Sequence, residues 1–216
     1  VPESMSLEET MAIGTAGYTS MLCVLALQDA GVKPGDGPVL VTGAAGGVGS
    51  VAVSLLATLG YEVHASTGRI DSEGDFLRKL GAAALVPRDD LSRDSKPMER
   101  ETWAGVVDTV GGKVLATAIA QTRYEGTVTA CGLAGGAGLS STVMPFILRG
   151  VTLRGIDSVM ASQERRQRAW DALAETLDRD QLRDIYDVVP MSRVPELAPQ
   201  ILAGQVRGRL VVDVNS

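Results

Sequence analysis

One stretch of the sequence decides the fold: Val39-Leu40-Val41-Thr42-Gly43-Ala44-Ala45-Gly46-Gly47-Val48-Gly49-Ser50, or VLVTGAAGGVGS. The apolar residues Val39–Val41 are typical of a buried parallel strand, and the apolar run Val51–Leu59 predicts a helix packed against it. Glycines between the two permit a sharp turn and a close approach of a ligand to the backbone. The helix directs unpaired N–H groups and the positive end of its dipole at that ligand, which favours a phosphate. Glycine is also common in ordinary turns, so the loop alone leaves both interpretations open.

Strands and helices alternate along most of the chain. We predict strands near 38–43, 62–66, 83–86, 105–110, 126–131 and 151–156, separated mostly by helices near 48–60, 72–81, 112–122 and 144–149. Two lead-in helices, Leu7–Ile13 and Tyr18–Ala30, precede them, with Gly14–Gly17 as the joint. Six strands in this alternation predict an α/β fold with a doubly wound parallel sheet.

The pattern changes after residue 161. A long helix over Gln163–Leu177, a strand over Ile185–Pro190, a helix near Val194–Ala203 and a strand over Leu210–Val214 form an appendage without a core of its own. We therefore divide the chain into a nucleotide-binding domain, 1–161, and a C-terminal segment, 162–216. Because the sequence opens on valine, we expect a piece of a longer protein, with this segment packing toward an absent N-terminal domain.

Composition narrows the classes of function. The 216 residues are 45% hydrophobic and carry a net charge of −6, which argues against nucleic acid as the main partner. The apolar runs are too short for a bilayer span, so no membrane partner is expected. Cys23 and Cys131 match no disulfide framework, which favours a reducing compartment such as the cytoplasm. One histidine, His64, and two distant cysteines cannot make a zinc site, so no metal is expected.

The glycine loop fits two dinucleotide-binding patterns. The first, Thr42-Gly43-x-x-x-Gly47-x-Gly49, resembles that of short-chain dehydrogenases, which also need a tyrosine followed four residues later by lysine. The residues four positions after the four tyrosines are Leu22, Ala65, Val128 and Pro190. None of these is lysine, so the short-chain interpretation fails.

The second pattern is that of the medium-chain dehydrogenases/reductases of the zinc-independent, quinone-oxidoreductase-like kind. Four segments resemble this family: Ala44–Gly49, Gly14–Thr19, Leu80-Gly81-Ala82 and Asp108–Gly112. Longer segments resemble its acryloyl-CoA reductase branch, namely STGR at Ser66–Arg69, VPRDDL at Val86–Leu91, WAGVVDTVGGKVLA at Trp103–Ala116, ACGLAGG at Ala130–Gly136 and TVMPFILRGVTLRGIDSVMAS at Thr142–Ser162. The likeness covers nearly the whole chain.

This resemblance implies a six-stranded Rossmann sheet, with C-terminal elements that belong to a largely missing GroES-like catalytic domain. It implies NADPH-dependent reduction of an activated C=C bond, with acryloyl-CoA giving propionyl-CoA. An NADPH:quinone reductase and a non-catalytic NADPH-binding module are the alternatives, so the small-molecule partner is an acyl-CoA or a quinone. No catalytic residue is visible in this chain, and we expect the chain alone to be inactive. Relatives pair the edge of their last sheet strand, so a homodimer through residues 151–156 is expected.

The end of the second strand bears on the choice of cofactor. Folds that select NAD usually end this strand with Asp or Glu, whereas this sequence has Ser66-Thr67-Gly68-Arg69. Hydroxyls and backbone N–H groups can donate to a 2′-phosphate there, and Arg69 offers a planar fork that matches phosphate oxygens. Arg88 could add a second cation from the neighbouring turn. This pattern predicts NADPH rather than NADH.

The loop, the strand end and the resemblance together give the candidate cofactor-binding residues. They are Thr19, Ala45, Gly46, Gly47, Val48, Gly49, Ser66, Thr67, Gly68, Arg69, Arg88, Val110, Cys131, Gly132, Leu133, Ile156 and Ser158. The glycines can also be plain turn residues, and Cys131 a small packing residue. Arg149, Arg154 and Arg207 are expected on the solvated surface, with contact to CoA phosphates as the alternative.

Overall fold

The computed structural model describes residues 4–216 and contains one large parallel sheet. Its strands are β1 (Val39–Thr42), β2 (Val63–Thr67), β3 (Ala84–Pro87), β4 (Trp103–Asp108), β5 (Thr122–Ala130) and β6 (Thr152–Gly155). They pair in the order β3-β2-β1-β4-β5-β6, and every pairing is parallel. This order confirms the predicted doubly wound sheet, and it places the topological switch point between β1 and β4.

The helices cover both faces of this sheet. They are α1 (Leu7–Asp29), α2 (Gly47–Thr58), α3 (Ile70–Lys79), α4 (Arg88–Leu91), α5 (Gly112–Gln121), α6 (Met144–Arg149), α7 (Gln163–Thr176), α8 (Arg179–Ile185) and α9 (Val194–Leu202). Apart from the two lead-in helices, the predicted helices lie within two residues of these bounds. Two short helices, α4 and α8, were not expected from the sequence.

The lead-in region is one helix rather than two. A capping box of Ser6 and Glu9 starts α1, and only Gly14, at φ 47° and ψ −151°, departs from helical geometry inside it. The rest of the predicted joint is helical, because a single glycine absorbs the kink. The merged helix is long and apolar enough to cross a membrane, but 67% of its apolar window is buried inside the protein. We therefore interpret α1 as an apolar core helix of the sheet domain.

The C-terminal segment divides into two parts. Helices α7 and α8 bury Ala169, Leu173, Leu182 and Ile185 in the same hydrophobic cluster as α1 and α2, so they pack on the sheet domain. After them, β7 (Tyr186–Pro190) and β8 (Arg209–Asp213) form a separate parallel pair. This pair and α9 expose several large apolar side chains, including Val188, Met191, Ile201, Leu202, Val212 and Val214.

Arg149 is buried, so the expectation of a solvated position for this residue was wrong. Instead of lying on the solvated surface, it is only 9% exposed. Its guanidinium donates to the carbonyl oxygens of Ala120 and Thr122, at 3.0 and 3.1 Å, and to that of Glu99. It also lies 3.4 Å from the Glu101 carboxylate. Arg149 therefore joins the end of α6 to the start of β5 and to the loop before β4.

Candidate functional site

A cleft of about 800 Å³ lies at the carboxyl edge of the large sheet. It is centred on the switch point, where the loop after β1 and the loop after β4 run in opposite directions. Ligands of open α/β sheets bind at this point. Its walls are formed by Thr42, Gly43, Ala45–Gly47, Ser66–Arg69, Arg88, Asp89, Ser92, Thr109–Gly111, Lys113, Val114, Ala134, Gly135, Ile201, Gly204, Val206 and Gly208–Leu210. The volume and the elongated set of lining residues suit a small organic ligand of cofactor size.

A buried carboxylate fixes the shape of the switch point. Asp108, fully buried at the end of β4, accepts hydrogen bonds from the Thr42 hydroxyl at 2.7 Å and the Gly111 N–H at 2.8 Å. The Thr109 hydroxyl in turn donates to the Thr42 carbonyl at 2.9 Å. Burial raises the pKa of Asp108 above its usual value, although these donors oppose the shift. The network holds the ends of β1 and β4 at a fixed separation on either side of the cleft.

The glycine-rich loop forms the floor of the cleft at the start of α2. Gly46 is the N-cap residue and makes no side-chain cap hydrogen bond, so the first N–H groups of α2 are directed at the cleft. Gly49, by contrast, packs against the backbone of the loop itself, and a Cβ there would lie 2.6 Å from the Ala44 Cα. The loop therefore needs Gly49 for its own folding, whereas Gly46 and Gly47 line the space where a ligand enters.

Two arginines converge at the end of β2. The Arg88 guanidinium lies against Gly68, where a Cβ would come within 2.7 Å of its central carbon. Arg69 begins α3 as its N-cap residue and donates from a guanidinium nitrogen to the Val206 carbonyl at 3.3 Å. Asp89 also lines this end but is exposed and lies 3.7 Å from Arg88, so it only partly offsets the cations. This end of the cleft fits a phosphate group.

The opposite wall comes from the far end of the chain, which sequence reasoning missed. The Gly208 N–H donates to the Ala45 carbonyl at 2.9 Å. The Arg209 side chain crosses the loop, since a Cβ at Gly47 would lie 2.9 Å from its Cδ, and its Nε donates to the Ala12 carbonyl at 3.0 Å. Burial lowers the pKa of Arg209 from its usual value. The stem of Arg209 thus lies against Gly47, and its guanidinium lies at Ala12 and Gly14 of α1.

The structure brings together nine of the seventeen candidate residues. Along the cleft lie Ala45, Gly46, Gly47, Ser66, Thr67, Gly68, Arg69, Arg88 and Val110, whereas Thr19, Val48, Gly49, Cys131, Gly132, Leu133, Ile156 and Ser158 lie outside its walls. Thr19 is buried and donates its hydroxyl to the Thr15 carbonyl at 2.7 Å. The residues after β5 and β6 do follow strands that end at the same edge of the sheet. Their contact with a cofactor stays a prediction.

The two cysteines, remote in sequence, meet in the structure. The Cys131 thiol, directly after β5, donates a hydrogen bond to the Asp108 carbonyl at 3.4 Å and lies near the fully buried Cys23 of α1. The nearby Cys131 thiol and burial together raise the pKa of the Cys23 thiol. Both cysteines are free. Cys131 therefore has packing and hydrogen-bonding partners that do not depend on a ligand.

The sequence model of the zinc-binding dehydrogenase family matches residues 47–175, which is more than half of the chain. The chain belongs to this family. The match begins at the glycine loop and ends inside α7. It thus includes both arginines at the end of β2.

Relatives of this chain confirm the resemblance found in the sequence. Acrylyl-CoA reductase AcuI of Ruegeria pomeroyi is 54% identical over 217 residues, covering all of this chain and 66% of the relative. YhfP of Bacillus subtilis, which is named as a quinone oxidoreductase, is 43% identical, covering 98% of this chain and 64% of the relative. The chain therefore spans about two thirds of the length of these proteins, slightly less in each case.

Solved structures agree with this family assignment. The crystal structure of YhdH from Escherichia coli K-12 with bound NADPH matches with a TM-score of 0.97 at 50% identity, covering 100% of this chain and 66% of the other. The structure of YhfP, which was solved with NAD bound, matches with a TM-score of 0.94 at 42% identity, covering 99% of this chain and 65% of the other. The two structures share the fold of this chain and differ in the dinucleotide that they contain.

The name of the family raises the question of zinc. Within residues 4–216, no three His, Cys, Asp or Glu side chains come together as a group that could hold a metal ion. The side chains present in these residues do not fit a zinc ion.

Proposed function

We propose that this chain is the NADPH-binding part of a reductase that acts on an activated C=C bond, with acryloyl-CoA reduced to propionyl-CoA. The observation that carries the proposal is the cleft, in which a glycine-rich helix N-terminus and the pair Arg69 and Arg88 lie along one wall. The 54% identity to a protein named acrylyl-CoA reductase supports the substrate. When bound, NADPH supplies the hydride for the reduction.

Different residues of the cleft are proposed to bind different parts of NADPH. We assign the pyrophosphate to the N–H groups at the start of α2 and to Arg209, because both lie at the part of the cleft that the glycine loop forms. We assign the 2′-phosphate to Ser66, Thr67, Arg69 and Arg88 at the end of β2. The nicotinamide half then points along the sheet edge toward the ends of β5 and β6, where the remaining candidates lie. These residues position the cofactor and exclude water.

The reaction can be tested with three acceptors in parallel. NADPH oxidation by the full-length protein is expected to be fastest with acryloyl-CoA, slower with crotonoyl-CoA and slowest with a benzoquinone. A preference for the benzoquinone would instead support the NADPH:quinone reductase alternative. Residues 1–216 alone are expected to bind NADPH in a calorimeter without turnover. Indifference of the full-length protein to all three acceptors would support a non-catalytic binding module.

Arg69 allows a direct test of cofactor selection. Arg69→Ala is expected to weaken NADPH binding by about ten- to a hundredfold and to leave NADH binding nearly unchanged, since a charge-assisted contact contributes roughly 1.5–3 kcal/mol. The measurement is a fluorescence titration with each nucleotide. Arg78→Ala is the control, because Arg78 lies on the same helix but pairs with Asp75 in solvent. Equal losses for both nucleotides would mean that Arg69 acts only through the stability of the loop.

The outer edge of β6 supports a proposal about assembly. This strand pairs only with β5 among the described residues, and an unpaired edge is usually covered. Ile147 and Leu148 of the neighbouring α6 are 73% and 56% exposed. We propose that a second copy of the chain covers both through edge-to-edge pairing. Sedimentation should give a dimer that Thr152→Pro dissociates, and a wild-type monomer at micromolar concentration contradicts the proposal.

The predicted domain division at residue 161 stays a proposal, because α7 and α8 pack on the sheet domain whereas β7, α9 and β8 expose apolar side chains. We propose that this surface, together with Met11 and Leu7 of α1, packs against a GroES-like catalytic domain of the full-length protein. Hydrogen exchange of β7 and β8 should then be slower in the full-length protein than in residues 1–216 alone.

We also place the protein in the reducing cytoplasm, because two adjacent thiols remain free. Recovery of the protein from an oxidising compartment would contradict this placement.

A further inference from the structure

A short segment of the chain covers the phosphate end of the cleft. We call residues 203–209 the strap, since they leave α9, cross the mouth of the cleft and enter β8. Gly204, Val206 and Gly208 of the strap line the same cleft as Ser66–Arg69. Its Gly208 is hydrogen-bonded to the glycine loop, as described above. The strap is therefore an outer wall of the site and not a passing connection.

The strap also holds the arginine assigned to the 2′-phosphate. The only side-chain hydrogen bond of Arg69 among the described residues is the one to the Val206 carbonyl. One nitrogen of the guanidinium is thereby fixed, and the remaining donors of the planar fork are left for a ligand. The strap thus sets the orientation of Arg69.

A buried carboxylate lies one helical turn from Arg69. Glu73 belongs to the first turn of α3, and its backbone N–H donates to the Arg69 carbonyl at 2.9 Å. Its side chain is only 11% exposed, and its Oε2 has no hydrogen-bond partner within residues 4–216. Without a facing cation, the buried negative charge at this place would oppose the binding of a phosphate dianion and attract the guanidinium of Arg69.

The cation that faces Glu73 comes from the strap. The Arg207 Nε lies 3.9 Å from the Glu73 Oε2, and the Arg207 guanidinium stacks 4.8 Å above the centre of the Phe76 ring. The ring holds the guanidinium over the carboxylate while half of the side chain stays in solvent. Arg207 is therefore placed to neutralise Glu73 without occupying the cleft, whose walls do not include it.

We propose that Arg207 is a positioning residue that determines cofactor specificity, because it neutralises Glu73 and so keeps the 2′-phosphate end of the cleft positive. This inference rests on the proposed NADPH-binding function. NADH lacks the 2′-phosphate, so the charge of Glu73 opposes NADPH and has little effect on NADH. The preference for NADPH is thus set partly by a residue that never touches the nucleotide.

The test compares Arg207→Ala, Glu73→Gln and the double variant by titration with NADPH and NADH. Arg207→Ala is expected to weaken NADPH binding by about five- to tenfold, as for a partly screened charge pair, and to leave NADH binding unchanged. Glu73→Gln in the Arg207→Ala background is expected to restore NADPH binding. The fragments 2′,5′-ADP and 5′-AMP should repeat the contrast, because they differ only in the 2′-phosphate.

Arg193→Ala is the matched control. Arg193 is as exposed as Arg207, at 49%, and also pairs with a glutamate, Glu196, but it lies outside the cleft. It should change neither affinity. If Arg207→Ala does not fold, Arg207→Gln, which keeps most of the stem over Phe76, replaces it with the same expected result.

Three results would overturn the inference. Equal losses of NADPH and NADH affinity in Arg207→Ala would show a purely structural role for the strap contact. Unchanged NADPH affinity, or failure of Glu73→Gln to restore it, would show that the charge of Glu73 does not reach the site. Failure of the wild-type protein to bind either nucleotide would instead overturn the proposed function on which the inference rests.

Discussion

Gly49→Ala is expected to lower the free energy of unfolding by about 2–3 kcal/mol and to abolish cofactor binding with it. The added Cβ would lie 2.6 Å from the Ala44 Cα, and neither atom can move without opening the turn. Gly49 itself lies outside the walls of the cleft, so the loss of binding follows from the loss of the loop. Urea unfolding and NADPH titration of the same sample measure the two effects together.

Gly46→Ala is the matched comparison. Its Cβ would meet only the Gly43 carbonyl oxygen, at 3.2 Å, so we expect a loss of stability well under that of Gly49→Ala. Gly46 does line the cleft, and a methyl group there occupies space next to the first N–H groups of α2. NADPH affinity should therefore fall by roughly tenfold or more in a folded protein. Equal losses of stability in the two variants would contradict this division of roles.

Arg149→Ala is expected to lower the free energy of unfolding by about 3–5 kcal/mol. The substitution removes the guanidinium hydrogen bonds to three carbonyl oxygens, those of Ala120, Thr122 and Glu99, and of these the Ala120 carbonyl keeps a bond from the Glu99 N–H at 3.0 Å. The Glu101 carboxylate loses its nearest cation at the same time. Chemical denaturation measures the loss, and NADPH affinity of the folded fraction should stay at the wild-type value.

Arg149→Lys and Arg154→Ala complete this test. Lysine keeps the charge but has one ammonium group in place of a planar fork, so an intermediate loss is expected. Arg154 lies half-buried on the edge strand β6, and its replacement should cost less than about 1 kcal/mol. A small loss for Arg149→Ala, similar to that for Arg154→Ala, would show that water replaces the buried guanidinium at little cost.

The fold could be predicted because its signals are local. Apolar runs of strand length alternate with helical periodicity between Val39 and Gly155, and this alternation alone implies a doubly wound sheet. The continuity of α1 could not be predicted in this way, because glycine at position 14 breaks a helix or merely bends it depending on how the two halves pack. The short helices α4 and α8 carry too few residues for a periodic pattern.

Only the local half of the site was open to prediction. The glycine loop and the Ser66–Arg69 turn can each be recognised from a stretch of a dozen residues or fewer. Arg207 and Arg209 do not, because nothing in the sequence links a C-terminal arginine to a loop near residue 45. Arg149 and Arg154 likewise look the same in the sequence, and only the placement of carbonyl oxygens around one of them separates a buried residue from a surface one.

The strap has a consequence for the order in which the protein becomes functional. Its contacts join residues 137 positions apart, from Arg69 to Val206, and 197 apart, from Ala12 to Arg209. Closing loops of this length lowers the chain entropy before the contacts that stabilise the closed state can form. Such contacts therefore form late in folding. A growing polypeptide can complete all six strands while the ribosome still holds the strap. We expect the sheet to form first, and the ability to retain a dinucleotide to mark the end of folding.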